Sequence, residues 1–350
     1  MKKNFYIKIG NRKIGVDYTP FVIVEIGINH GGDMTKAKKM VDDARAAGAE
    51  CVKFQSHVVE DEMVGVAKEI IPGHAKESIW DIMKSCAFSE SEERELKNYV
   101  ESLGMIYLCT PFSRAAALRL ERLGVVAYKI GSGECNNYPL VELIASFKKP
   151  VILSTGMNDI SSIKPSVLIF KKYKTSLALV HCVSMYPTPY NKVRLGCLAD
   201  LKKSFPEIVL GLSDHSLGNY TCFGAVALGA SILEKHFTST RDWEGPDIAI
   251  SINPAELKDL IIGSKAIFEA RGGKKEILKE EKPIIDFAYA CVVTTDNIKK
   301  GEKFTKDNLW VKRPGTGEIK AREYKNILGK TASRDLEADI QLKRKDIKKS

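Results

Sequence analysis

The chain has 350 residues, 44% of them hydrophobic and 28% charged, enough for a large core and more than one compact domain usually needs. Its formal charge of +10 is uneven: residues 271–350 hold 21 Lys and Arg against 13 Asp and Glu, whereas the first 270 residues hold 33 against 31. That basic stretch has five aromatics and mixes acids among its bases, which fits a solvated face better than a nucleic-acid surface, and no apolar run approaches the roughly 18 residues of a membrane span.

The opening MKKNFYIKIG lacks the apolar stretch of a secretion signal, so a cytoplasmic protein with no membrane and no nucleic-acid partner is expected. Eight cysteines without a CxxC pair, several in apolar runs (Cys51, Cys109, Cys182), read as buried thiols in a reducing compartment.

From residue 21 onward, short β-branched runs alternate with longer amphipathic segments, the pattern of repeated βα units with parallel strands. The runs are FVIVEIG (21–27), ECVKFQS (50–56), MIYLCTPF (105–112), VAYKIGSGE (126–134), PVILSTG (150–156), LALVHCV (177–183), VLGLSDH (209–215) and ILEKHFT (232–238). Each starts apolar and ends polar, as a buried strand does when its C-terminal end opens into a site. Helical patterns lie between them, among them 34–48, 91–104 and 197–205, most ending at Gly or near Pro. Eight strands and eight crossovers in about 250 residues predict a (β/α)8 barrel, a TIM barrel in the α/β class, rather than a doubly wound sheet. The connection from His57 to Ser89, which contains His74, is longer than a βα loop requires and is expected to cover the barrel mouth.

Composition then shifts to short strands and turns. The domain reading is a barrel over 1–270, a linker over 271–285 and a small β-rich domain over 286–350. In the last, NIKKGEKFTKDNL (297–309) and DLEADIQLKRKDI (335–347) match weakly at a spacing of 38 residues, suggesting two copies of a small β unit about a pseudo-twofold.

Active sites of parallel barrels lie at the C-terminal strand ends. Those ends carry Glu25; Lys53 and Gln55; Thr110; Lys129, Ser132 and Glu134; Ser154; Ser184 and Tyr186; Ser213, Asp214 and His215; Glu234 and His236. Two lysines from neighbouring strands, with serines and Gly-rich turns, suit a phosphate plus a carboxylate. His215 and His236, at adjacent strand ends, are the metal candidates, since two ligands leave positions open for water and substrate. Glu25 and Glu134 are candidates for proton transfer or for sugar hydroxyls, with a salt bridge to Lys53 or Lys129 as the plainer alternative. His30 and His181 read as hydrogen-bonded core residues, while His57 and His74 fall in the covering loop.

Several segments resemble the sialic acid synthase family, in which a phosphoenolpyruvate-binding barrel is joined to a C-terminal antifreeze-like (SAF) domain. They include VEIGINHGGD (24–33), VKFQSH (52–57), TPFS (110–113), YKIGSGECNNYPL (128–140), STGM (154–157), YPTP (186–189), GLSDHS (211–216), EKHFT (234–238), GPD (245–247) and KRPGTG (312–317), and they span essentially the whole chain. The resemblance implies that Lys53, Thr110, Lys129, Ser132, Ser154, Ser184 and Ser213 bind phosphoenolpyruvate. It places Glu25, Gln55, Glu134, Tyr186, Asp247, Phe287 and Arg313 on the acceptor sugar, with Glu134, Lys53 and Lys129 catalytic. It gives His215 and His236 a divalent ion, manganese first and magnesium or cobalt as alternatives. Arg313 resembles an arginine that one subunit inserts into its partner's barrel, which implies a domain-swapped homodimer.

Ser184 departs from the family pattern, which usually has an amide there. VEDEM, GECNNYPL, SFKKP and IDFAYA look most like the N-acetylneuraminate branch, so phosphoenolpyruvate and N-acetylmannosamine are the expected substrates. A legionaminate or pseudaminate synthase using a diacetamido-trideoxy hexose is the alternative. More distant are a 3-deoxy-octulosonate phosphate-type synthase and a non-enzymatic binding protein.

Overall fold

Eight parallel strands organise the larger part of the protein in the computed structural model, which describes residues 5–71 and 77–349. They are β3 (Phe21–Gly27), β4 (Cys51–Ser56), β5 (Ile106–Pro111), β6 (Tyr128–Ile130), β7 (Val151–Ser154), β8 (Leu177–Cys182), β9 (Val209–Asp214) and β10 (Ile232–His236). Hydrogen bonds join them in the order β5-β4-β3-β10-β9-β8-β7-β6, and the end strands β5 and β6 lie side by side, so the sheet curls into a nearly closed barrel. All eight fall within the runs expected from the sequence. The chain divides into two units, Met1–Gly272 and Gly273–Ser350.

Period-two alternation sorts each strand into a helix-facing and a barrel-facing set. Helix-facing residues such as Val22, Val24, Val52, Tyr107 and Leu153 join one large core with the buried stripes of the surrounding helices. The helices begin where the sequence supplies caps: Asp33 accepts from the backbone of Thr35 and Lys36 ahead of Met34–Ala46, and Ser89 forms a capping box with Glu92 ahead of Glu90–Ser102. Barrel-facing Phe21, Ile23, Cys51, Leu108, Ala127, Ile152, Ala178, Val180, Val209 and Ile232 form a second cluster. The N-terminal hairpin, β1 (Tyr6–Ile9) paired antiparallel with β2 (Arg12–Gly15), adds Ile7, Ile9 and Ile14 to that cluster. The barrel interior is therefore sealed at the N-terminal ends of its strands and can open only at the other.

The connection after β4 contains a helical turn at Val59–Glu62, a 3-10 turn at Gly65–Glu69 and a helix at Ile79–Cys86, while His74 lies outside the described residues. Asp61 of that turn accepts from Ala115 N beyond β5, which fastens the connection over the β5 side of the mouth.

The second unit pairs β11 (Cys291–Thr294) with β12 (Leu309–Lys312) antiparallel, preceded by a helix at Lys282–Ala288. Ile298 and Leu336, equivalent positions in the 38-residue repeat, exchange reciprocal backbone hydrogen bonds of 2.8 Å. Phe304 and Leu342, also equivalent, are both buried in the same small core. A local twofold produces this pattern. Among the described residues no helix is long and apolar enough to cross a membrane.

Candidate active site at the barrel mouth

The same alternation that builds the inner core also builds the site. Two residues beyond the apolar positions 23, 51, 108, 127, 152, 180, 211 and 232 stand Glu25, Lys53, Thr110, Lys129, Ser154, Cys182, Ser213 and Glu234, one per strand. All are buried, with Lys53 and Lys129 only 3% and 2% exposed. A further step of two reaches Gly27, Gln55, Gly156, Ser184, His215 and His236. Apolar plug, charged layer and polar rim thus follow one another up the barrel.

The two lysines converge on one carboxylate. Lys53 Nζ lies 2.7 Å from Glu25 Oε2 and 3.7 Å from Glu234 Oε1, and Lys129 Nζ lies 3.4 Å from that same Glu234 oxygen. Lys129 also donates to Ser154 Oγ at 2.6 Å, Lys53 to Thr110 Oγ1 at 3.2 Å, and Ser213 Oγ to Glu234 Oε1 at 2.9 Å. The lysines do not come from neighbouring strands as expected from the sequence, because β5 lies between β4 and β6. Long side chains on a curved barrel reach its axis, so they meet across the interior. Glu234, assigned no role from sequence, is the group on which they meet.

Burial disfavours the Lys53 ammonium, but the Glu234 and Glu25 carboxylates more than reverse this and hold its pKa above the ordinary lysine value. Lys129 shifts the other way, lowered by burial and by the charge of Lys53 against the pull of Glu234. Burial would raise Glu234, yet Lys129, Lys53 and the Ser213 hydroxyl bring it down to about 2. The Glu234 carboxylate, favoured in its ionised form, thus sits between the two lysine side chains in a buried layer.

Ser132 and Ser184 flank Gly156. Gly156 N donates to Ser132 Oγ at 3.0 Å, and a Cβ at position 156 would lie 2.8 Å from Ser132 Oγ and 2.6 Å from Ser184 Oγ. Any side chain there would have to displace both hydroxyls, and Ser184 shares a cradle with Ser132. Gln55 donates to Glu25 Oε1 at 3.0 Å, and its own oxygen lies 3.1 Å from His57 Nε2, whose Nδ1 faces Glu62 at 2.8 Å. His57 is thereby a supporting group of the site, a role its place in the covering loop did not reveal.

Glu134 sits at the end of the 3-10 turn Ser132–Glu134 and accepts from Asn137 Nδ2 at 2.5 Å. With Asp61, Glu62, Phe112, Arg114 and Asn137 it lines a cavity of about 450 Å³. Burial raises its pKa, opposed by the Asn137 hydrogen bond and reinforced by Glu62.

His215 and His236 stand on adjacent strands with ring centroids 5.3 Å apart. Val183 O lies 2.9 Å from His215 Nδ1, which leaves Nε2 for a ligand, and the Tyr186 ring stacks on His215 at 4.1 Å. Asp247 Oδ2 lies 3.4 Å from His236 Nδ1, and Asn29, overlooked in the sequence, accepts from Asp247 N while donating to Phe237 O. Burial lowers the His236 pKa against Asp247 and Glu25, which keeps that imidazole in its metal-binding neutral form. Among the described residues no three His, Cys, Asp or Glu groups gather as a closed metal cage. Two imidazoles with a buried, hydrogen-bond-free His236 Nδ1 instead fit an open site completed by substrate and water. Glu234 Oε2 is likewise buried without a hydrogen-bond partner.

His30, stacked on Phe88 with its pKa lowered by burial to about 4, and His181, 2.7 Å from Val193 O, are core residues as expected. Phe287 and Arg313 belong to the second unit, and both are exposed there.

A nearly closed (β/α)8 barrel with ammonium groups, hydroxyls and imidazoles at the C-terminal strand ends defines an enzyme of the kind that handles a small anionic substrate there. The chain belongs to the NeuB family, whose profile matches residues 40–276, and the SAF domain profile matches residues 289–348. It is 36% identical over 327 residues to the N,N'-diacetyllegionaminic acid synthase of Campylobacter jejuni, covering 91% of this chain and 97% of that one. It is 33% identical over 337 residues to the human N-acetylneuraminate-9-phosphate synthase, covering 94% and 92%. The crystal structure of N-acetylneuraminic acid (sialic acid) synthetase from Leptospira borgpetersenii superposes with a TM-score of 0.75 at 36% identity, over 81% of this chain and 97% of that one.

Proposed function

We propose that this protein condenses phosphoenolpyruvate with N-acetylmannosamine and water to give N-acetylneuraminate and phosphate. The observation that carries the reading is the buried layer in which Lys53 and Lys129 converge beside Thr110, Ser154 and Ser213, below the Gly156 cradle of Ser132 and Ser184. Such a set offers two lysine ammonium groups and several hydroxyl donors to a phosphate and a carboxylate together in a buried layer.

His215 and His236 would hold a divalent ion, manganese by preference, which supplies Lewis-acid polarisation of an aldehyde. The methylene carbon of phosphoenolpyruvate forms the new bond to the aldehyde carbon, and water then adds at the neighbouring carbon. Phosphate leaves from the tetrahedral adduct. Lys53, Lys129 and the serines hold the phosphate and carboxylate charge throughout, and Glu134 moves the proton that the aldehyde oxygen needs. Gln55, Tyr186, Asp247 and Glu25 orient the open-chain sugar. Phe287 and Arg313 would complete the sugar site in trans in a domain-swapped homodimer.

A diacetamido-trideoxy hexose is the second reading of the acceptor, favoured by the 36% identity to the Campylobacter jejuni enzyme. Phosphate release from phosphoenolpyruvate with manganese, measured side by side with the two sugars, decides between them. Chelator-sensitive release with N-acetylmannosamine supports the first reading and preference for the diacetamido sugar the second; release with neither overturns both.

The cradle gives a further prediction. Gly156→Ala should raise KM for phosphoenolpyruvate about 10–100-fold, the loss of one charge-assisted hydrogen bond, because the new Cβ must displace the hydroxyls of Ser132 and Ser184. An unchanged KM in steady-state assays would remove those two serines from the anion site.

A further inference from the structure

Directly behind the two imidazoles lies a second charged pair that the reaction does not use. Asp214 and Lys235 are direct partners in the β9–β10 register, and their side chains are each 1% exposed. Alternation turns them away from the mouth: Ser213, Glu234 and His236 face the site, whereas Asp214 meets Thr221 and Cys222 of the helix Tyr220–Ala227. Lys235 Nζ lies 2.6 Å from Asp214 Oδ2. That carboxylate also accepts from Thr221 Oγ1 at 2.7 Å, Ser216 Oγ at 3.0 Å and, through Oδ1, Ser216 N at 3.1 Å. The same ammonium donates to Ser216 O.

His215 therefore sits between two residues, Asp214 and Ser216, that are both fastened to Lys235, and Lys235 is itself the residue before His236. One ion pair reaches the backbone on either side of the first imidazole and the strand position next to the second. A buried ion pair is a poor source of stability, since apolar residues of similar volume commonly do as well or better. What a fully hydrogen-bonded pair supplies is a fixed arrangement of the chain around it. Metal–imidazole distances tolerate errors of only about 0.2 Å, so the relative placement of β9 and β10 decides whether both rings can bind one ion.

We propose that the Asp214–Lys235 pair is a positioning device that sets the spacing of His215 and His236 for a divalent cation. This rests on the reading of those histidines as metal ligands. The test uses the full chain and Mn2+ alone, with free Mn2+ followed by electron paramagnetic resonance, so that no turnover is needed. The informative variant is the double neutral exchange Asp214→Asn with Lys235→Met, which leaves no unpaired buried charge.

The double variant is expected to keep the far-ultraviolet circular dichroism and cooperative melt of the wild type while its Mn2+ dissociation constant rises about 10–100-fold. Excess Mn2+ should then restore most of kcat, with KM for phosphoenolpyruvate little changed. Should the double variant not fold, Thr221→Val removes a single donor to Asp214 and is expected to weaken Mn2+ binding roughly threefold to tenfold. A purely structural pair would lower the melting temperature and leave Mn2+ affinity within twofold of wild type, and that result overturns the proposal. Wild-type protein that binds no Mn2+ would instead overturn the metal reading, and the positioning role with it.

Discussion

Replacing Lys129 by methionine is expected to lower phosphate release from phosphoenolpyruvate by about a thousandfold while the barrel remains folded. Methionine matches the lysine stem in length and keeps its packing within the barrel, so the change removes charge and hydrogen bonding more than volume. What remains is Glu234, whose oxygen still has Lys53 at 3.7 Å and the Ser213 hydroxyl at 2.9 Å. The carboxylate is thus left under-compensated but not bare, and the loss of stability should stay below the 3–5 kcal/mol typical of a fully orphaned buried charge.

The activity has no such reserve. With one ammonium gone, the remaining pair is Lys53 against two carboxylates, Glu25 and Glu234, and the layer changes from balanced to net negative where an anionic substrate must bind. Both KM for phosphoenolpyruvate and kcat should suffer, since the charge being stabilised grows as phosphate departs. Steady-state phosphate release and a thermal melt on the same preparation check this. Activity within tenfold of wild type, in a protein that melts normally, would take Lys129 out of the anion site.

Much of this layer was legible because a barrel strand is a simple object. Runs that begin apolar and end polar located all eight strands, and the strand-end rule named Lys53, Thr110, Lys129, Ser154, Ser213, His215 and His236 before any geometry was known. The step of two from the inner core carries the same information more sharply. It also singles out Cys182, two beyond Val180, and gives Glu234, already among the strand ends, the same inward-facing place as the lysines.

Which strands face each other across the barrel was not legible. Chain order makes β4 and β6 look like near neighbours of equal standing, while their meeting on Glu234 depends on curvature and stagger. The second ring of support was equally hidden: Asn29 reaches Asp247 over 218 positions and His57 reaches Glu62 within a loop. Neither partner carries a periodic signal. The N-terminal hairpin that seals the barrel escaped for a related reason, since two four-residue strands on either side of Gly10 and Asn11 give too short an alternation to read as strands.

Glu134→Gln is expected to reduce kcat by about 10²–10⁴-fold, the range for loss of a general acid or base, and to change the pH profile in a direction set by its surroundings. Burial holds the Glu134 carboxyl above the ordinary glutamate value, Asn137 opposes that shift and Glu62 adds to it, so the group keeps its proton to a higher pH than a solvated glutamate does. A donor must be protonated to act. Turnover that depends on Glu134 as donor therefore holds below its pKa and falls as pH rises through it, and the glutamine variant should lose that alkaline limb along with most of its rate.

Glutamine preserves the shape and can still accept from Asn137 Nδ2, so the 3-10 turn and its neighbour Ser132 should stay in place. That separates proton transfer from sugar binding. A residue that merely accepts from a sugar hydroxyl would raise KM for the acceptor and leave kcat and the limb intact. Finding that pattern in kcat and KM measured across pH would move Glu134 from catalysis to recognition, and the proton would have to come from another group on the mouth.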